Sequence, residues 1–529
     1  MRPAAAVRRR TMTRLTWSLL LLAGAIAACT RGGIPIAPAI ESTAPVSSPI
    51  DELRHDVSVL ASDSLGGRAT GSEGERRAVR YLAGRARDAG LTPAGDSGGF
   101  IQRVPLARER LGSRTRLVVR GPRSEEFTLS SLLPLLELGS RVPDPRRTVD
   151  DAEIVFAGYG ADPASLAARG IPIAGRVAVI VNGAPATAGP IERAQLESPG
   201  AIAPRLARLF AERPAAVIVL LAGASAEAYD ATLRDLYARR IGPAERSTGD
   251  SHGDTSPMVL FGKMPTGRSP LLPRHWPSDD RSQLLDGYRF TGTVDIAVEP
   301  VAAYNVVAAL PATDSSQRRH WVALAAHLDH LGILSNTQGD SVAHGADDDA
   351  SGSAALLAVA RRLAHVSQRR SSVLFIWHTG EEEGQLGSRY FALHPTVPID
   401  SVRSLVDADM VGRNASDSLF FVGPVWAMSS PEGRLLATLD SANASMDRPF
   451  AVGRVSGAAS DSSSIYYRTD AWPYADRGVP AALVTSGAHE DFHQVTDVAS
   501  RVDYDKVDRV SMLLAAFALR VDLNGPHSR

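Results

Sequence analysis

The chain has 529 residues, of which 44% are hydrophobic and 22% charged, and its Lys+Arg count of 57 almost cancels its Asp+Glu count of 58. That length is too great for one ordinary hydrophobic core and implies two to four domains. The balanced charge excludes nucleic acid as the main partner, because binding driven by counterion release needs a basic face.

The N-terminus is built differently from the rest. MRPAAAVRRR gives a positive flank, WSLLLLAGAIAA a short apolar run, and the run stops at Cys29, the only cysteine. An apolar core this short does not cross a bilayer, so residues 1–28 read as a secretory signal. Ile26-Ala27-Ala28-Cys29 resembles the lipobox of bacterial lipoproteins. The resemblance implies that Cys29 is lipidated and anchors an exported chain to a membrane; a small buried thiol is the plainer alternative, and one cysteine can form no internal disulfide. Residues 29–49, rich in Pro, Ala and Ser, read as a flexible tether. By resemblance to sorting in Gram-negative bacteria, Thr30 in place of Asp favours the outer membrane.

Residues 50–110 begin with IDELRHDVSVLASDSL and GSEGERRAVRYLAGRARDAGL, whose apolar residues recur at helical spacing and predict two packing helices, the second ending at Gly90. GDSGG, residues 95–99, spells the nucleophile motif of chymotrypsin-like serine proteases. That fold needs His and Asp earlier in the chain, and the only earlier His, His55, lies in a helical pattern, so a turn of small residues is the better reading. Residues 111–300 are expected to be β-rich. There AEIVFAGYG, GRVAVIVNG and AAVIVLLAG are short apolar runs bounded by Gly, as buried strands should be, and a separate, mostly β module is expected between about 150 and 300.

After Tyr304, through residues 301–525, strands and helices alternate, which predicts an α/β fold: a mostly parallel mixed sheet flanked by helices. Nine of the 13 His fall between His320 and His493. WVALAAHLDHLG is an apolar strand ending at His327 with Asp329 two residues on. HGADDDASGSAALLAVARRLA is an acidic turn running into an amphipathic helix. SSVLFIWHTGEEEGQLGS ends in Glu381, Glu382 and Glu383, SLVDADMVGR in Asp409, and AALVTSGAHEDFH is a fourth strand. In an open α/β sheet ligands bind at the C-terminal strand edge, so one site is assembled from four places. A single Asp or Glu at a strand end is ordinarily a cap or a solvated charge. Hard carboxylates together with imidazoles suit zinc or a similar divalent ion, and more carboxylates than one ion needs point to two ions sharing a ligand.

AHLDHLG, GADDDASGSAALL, GEEEGQLGS, DADMVGR and FHQVTD, in this order and at these intervals, resemble the co-catalytic zinc exopeptidase family that includes bacterial aminopeptidases and glutamate carboxypeptidase II. The likeness covers essentially residues 50–525, since the family's secreted members often begin with a segment like LASDSLGGRATGSEGERRAVRYL, and many insert a protease-associated domain where the β module is expected. It implies two zinc ions: His327 and Asp409 hold one, Glu382 and His493 the other, and Asp348 bridges them. It further implies that Asp329 orients His327, that Glu381 is the general base with Glu383 a variable position, and that the peptide bond after Asp348 is cis. The implied reaction is hydrolysis of a peptide substrate, most readily from its N-terminus, by water activated between the ions.

HEDFH, residues 489–493, also fits the H-E-x-x-H pattern of single-zinc proteases, in which both His share one helical face. No Glu follows Glu490 as third ligand, although Asp503, Asp505 or Asp508 could serve, and the local sequence is a weak helix former. His493 is therefore read as the ligand, with His489 and Glu490 lining the site. Two departures touch the substrate side. Phe492 stands where several relatives carry a Tyr that steadies the oxyanion, and Ala471, in TDAWPY, stands where they carry a His. A carboxypeptidase would need a basic pocket, for which Arg413 is available; a non-catalytic receptor on the same fold is the alternative of a different class.

Overall fold

Ser48 and Ser72 start the two N-terminal helices, Pro49–Leu60 and Glu73–Asp88: each hydroxyl accepts a hydrogen bond from the N–H three residues on, satisfying a donor of the first turn. Leu53, Val57 and Leu60 on the first, and Ala78, Val79, Leu82 and Ala86 on the second, are buried at the predicted helical spacing. These elements come from a computed structural model, which describes residues 48–521 apart from 130–131, 136–145, 160–170, 186–187, 198–201, 223–240, 245–256, 266, 276–281, 335–338, 425–429 and 458–464. The expected signal and Cys29 lie outside the described residues.

Four short apolar strands form the centre of the main sheet. Ser372–His378, Trp321–His327, Val402–Ala408 and Ala481–Thr485 are neighbours in that order and all parallel. On one side the sheet continues with antiparallel Gln283–Leu310 and Ile101–Leu111. On the other, Ser418–Pro424 runs antiparallel to Ala481–Thr485 and carries Ala451–Gly457 as its parallel partner. Both faces are covered. Val322, Leu324 and Ala326 share a core with the helices Gly352–Ala364 and Tyr504–Ala518, whereas Ala323 and Ala325 share one with Phe391, Tyr466 and Tyr474. Alternation between two buried faces is what makes these strands read as unbroken apolar runs. Because the four central strands are parallel, their C-terminal ends share one edge, and that edge, with the loops leaving it, carries every expected metal ligand.

Upstream, Arg146–Phe156, Val177–Asn182, Ala216–Leu221 and Met258–Lys263 lie side by side and parallel around a second core that includes Phe156, Val179, Ile218 and Leu260. Three of them are the Gly-bounded runs. The strand Gln283–Leu310, 28 residues long, belongs to both sheets: its first part pairs with Arg116–Arg120 and Arg146–Phe156, its last with Ile101–Leu111 and Ser372–His378. The boundary expected at residue 300 thus falls inside one continuous strand. GDSGG is an exposed turn in which the Gly95 N–H donates to the Gly99 carbonyl.

Candidate metal centre

The five residues expected as metal ligands converge. His327, the last residue of its strand, places Nε2 3.1 Å from Asp348 Oδ1 and 3.4 Å from Asp409 Oδ1. His493 places its Nε2 3.2 Å from Asp348 Oδ2 and 3.2 Å from Glu382 Oε2. Asp348 therefore stands between two imidazoles with one oxygen turned to each, as a bridging carboxylate must. Two ligands of one tetrahedral ion with bonds of about 2.0–2.1 Å lie roughly 3.3 Å apart, so all four separations match the edge of such a tetrahedron. Asp348 Oδ2 and Asp409 Oδ1 are buried oxygens without a hydrogen-bond donor, which a cation would satisfy. The peptide bond between Asp348 and Asp349 is cis.

The electrostatics favour the same reading. Burial pushes Asp348 up, but the imidazoles of His330, His327 and His493 outweigh it and hold it well below the ordinary carboxylate range. Glu382 is likewise raised by burial and by Asp348, then brought down to about 2 by His330 and His493. Partial burial lowers His493, yet the carboxylates of Asp348 and Glu382 beside its Nε2 carry it up to about 10. His327, which burial lowers and Asp409 and Asp348 raise well above the ordinary imidazole range, and His493 hold protons as the counter-charge of these carboxylates, and a divalent ion would bind here by displacing them.

Glu381 is partly exposed beside this ring, with its main-chain N–H donating to Asp329 Oδ1 at 3.1 Å. Burial, reinforced by Asp470, Glu382 and Asp409 and opposed by His327, raises its carboxyl well above the usual range. Asp329 lies under His327: the ring Nδ1 is 3.2 Å from its main-chain oxygen and 3.8 Å from its carboxylate, while the Thr70 hydroxyl donates to Asp329 Oδ2 at 2.8 Å.

Sequence reasoning missed the residues that hold this ring from behind. Asp349, also within reach of His327 and Asp409, spends its oxygens on three main-chain donors, Gly352, Met410 and His327. Asp497 Oδ2 accepts from the N–H groups of Asp347 and Asp348. Arg68 is fully buried and donates to the carbonyls of Leu60, Leu328, His344 and Gly345, tying the N-terminal segment to the loops after His327 and before Asp348. Gly67, at φ 68°, is what admits this turn: a Cβ there would sit 2.5 Å from the Ala343 carbonyl oxygen. The only sequence cue was the Gly-Gly-Arg turn between the two helices.

HEDFH is not a helix. Residues 490–493 form a turn, with the Phe492 N–H donating to the His489 carbonyl. His489 turns Nε2 to Asp347 Oδ2 at 3.3 Å, and Glu490 is 82% exposed with Arg501 3.7 Å away, so of the two only His489 approaches the acidic loop. Glu490 does not line the site as expected, because the turn directs it to solvent. Phe492 stacks on the ring of His493, centroids 3.8 Å apart, while Ala471 is buried in the helix Ala471–Ala475. Arg413 is consumed by Asp491, 2.6 Å away, and is largely buried.

Residues 305–518 match the model of peptidase family M28. Over 125 residues the chain is 34% identical to aminopeptidase Y of Saccharomyces cerevisiae, 23% of this chain and 21% of that one. Over 244 residues it is 28% identical to a probable zinc metalloprotease of Pyrenophora teres f. teres, 40% of this chain and 50% of that one. The chain thus spans from about a fifth to half the length of these relatives. An aminopeptidase structure from Aneurinibacillus sp. strain AM-1 superposes with a TM-score of 0.51 at 18% identity, covering 88% of this chain and 92% of that one, which establishes the fold.

Proposed function

We propose, on the match of residues 305–518 to the model of peptidase family M28, that the chain is a dinuclear zinc exopeptidase of that family, specifically an aminopeptidase. The observation that carries this is Asp348 standing between His327 and His493 at ligand-to-ligand distances, with Glu381 beside the ring. When bound, two zinc ions polarise the scissile carbonyl and bring the attacking water's pKa towards about 7. His327 and Asp409 would hold one ion, Glu382 and His493 the other, and Asp348 both. Glu381 takes the proton from the attacking water as the C–O bond forms, then delivers it to the amine nitrogen as the C–N bond breaks.

The choice of chain end follows from charge. The carboxylates of Asp348, Glu382, Asp409 and Glu381 would balance two divalent ions, an environment with no excess positive charge to draw a terminal carboxylate. A carboxypeptidase needs a cation free for the substrate's terminal carboxylate, and the one expected in that role, Arg413, is locked to Asp491. Phe492, stacked on His493, supplies an apolar wall where a Tyr would supply a donor, so oxyanion stabilisation would be left to the bound ions. The sequence supports export and a lipid anchor at Cys29, with a protease-associated module upstream of the peptidase strands; these remain part of the proposal.

The form beginning at Thr30, incubated with matched peptides carrying free or blocked ends, is expected to remove residues stepwise from free N-termini, and to stop doing so when a chelator is added. Mass spectrometry of the products decides it: cleavage inside doubly blocked peptides would return HEDFH to consideration as a single-zinc motif. The same assay separates the two Glu candidates. E490A is expected to stay within about twofold of wild type, as exposed substitutions do, and a loss of about 100-fold or more, the scale of a general base, would move the base to Glu490.

A further inference from the structure

His330 lies three residues beyond His327, outside the expected ligand set, yet it is buried in the ring. Its Nδ1 is 2.7 Å from Glu382 Oε1 and 3.8 Å from Asp348 Oδ2, its Nε2 is buried without a partner, and its ring meets that of His493 edge-on at 5.8 Å. By position His330, Asp348 and Glu382 could together surround an ion. The distances argue for a different role. Ligands of one tetrahedral ion stand roughly 3.3 Å apart, as His493 does from Asp348 and Glu382, whereas 2.7 Å is the length of a charge-assisted N–H···O bond.

An ionised carboxylate only accepts, so Nδ1 carries the proton. The ring is seated from two sides. The His330 main-chain N–H donates to the Arg68 carbonyl, and a Cβ on Gly345 would fall 2.5 Å from the imidazole, so only glycine leaves room for it.

Building on the dinuclear reading above, we propose that His330 is a positioning residue for one half of the metal centre: its Nδ1–H ties down Oε1 of Glu382 and leaves Oε2 alone to face the ion held with His493 and Asp348. Without that bond the carboxylate can turn, and retention of this one ion falls. The half formed by His327 and Asp409 does not depend on it.

The test compares H330L, which removes the donor, with H330N, whose side-chain amide nitrogen can take the place of Nδ1. Zinc per full chain is measured by elemental analysis and zinc affinity by competition with a chromophoric chelator, beside hydrolysis. Wild type is expected to hold two ions. H330L should keep one as tightly as before and bind the other about 10–100-fold more weakly, the usual cost of losing a partner behind a ligand, and H330N should recover most of that loss. Equal weakening of both ions in H330L, unchanged binding of both, or an H330N no better than H330L each overturns the proposal while leaving the dinuclear reading intact. A wild type that binds no zinc overturns the dinuclear reading itself.

Discussion

Replacing Glu381 by alanine is expected to lower kcat by about 10²–10⁴-fold, the contribution of a positioned general base, while both zinc ions stay bound. Separation of the two effects follows from the loop. Glu381 and Glu382 are adjacent, but Glu382 turns its oxygens to His330 and His493, whereas among the described residues no ion pair joins the Glu381 carboxylate to an imidazole of the ring. Its main-chain N–H, not its side chain, anchors it to Asp329, so removing the side chain leaves the ligand set in place. Burial, reinforced by Asp470, Glu382 and Asp409, raises the carboxyl's pKa, and bound cations would oppose that rise. Zinc content measured beside kcat on the same preparation checks this. Near-normal turnover in E381A would remove Glu381 as the base, and lost zinc would mean that the register of the three Glu is misread.

Much of this arrangement is legible because the strands are parallel. A strand buried on both faces announces itself as an apolar run, and parallel strands place the residues that end those runs on one edge. His327, Glu382 and Asp409 could therefore be grouped before any pairing was known. The FHQVTD loop, the GADDDASG turn and the register of the three Glu came from family resemblance, since nothing in local periodicity sets Glu381 apart from Glu382. Arg68 escaped for a physical reason: its hydrogen bond to Gly345 spans 277 residues, and a fully buried guanidinium leaves no periodic trace. His330 escaped because one His among several near a metal ligand differs from the others only in distance. The 28-residue strand Gln283–Leu310 was hidden because it contains Gly287 and Pro300 and changes partners midway. Local turn signals at Gly and Pro are real but are overruled there by pairing on both sides.

Asp348→Ala is expected to remove both ions together and bring hydrolysis to background, which distinguishes a bridging ligand from one serving a single ion. On the proposed assignment each half of the ring has three protein ligands because Asp348 is counted twice, Oδ1 with His327 and Oδ2 with His493. Its loss leaves His327 with Asp409 and His493 with Glu382, two protein ligands each. It also leaves the two ions facing each other without the anion that screened them. The loss of affinity should exceed the roughly 10–100-fold that a supporting residue costs. The fold is expected to survive, because Asp497 holds residue 348 through its main-chain N–H, which alanine retains. Thermal unfolding with added zinc gives the readout: an ion that binds only the native state raises the midpoint by mass action, so wild type should shift upward with zinc and Asp348→Ala should not. A variant that still binds one ion at wild-type affinity would place Asp348 on the other ion alone, and the two halves would then have to be held together by some other group.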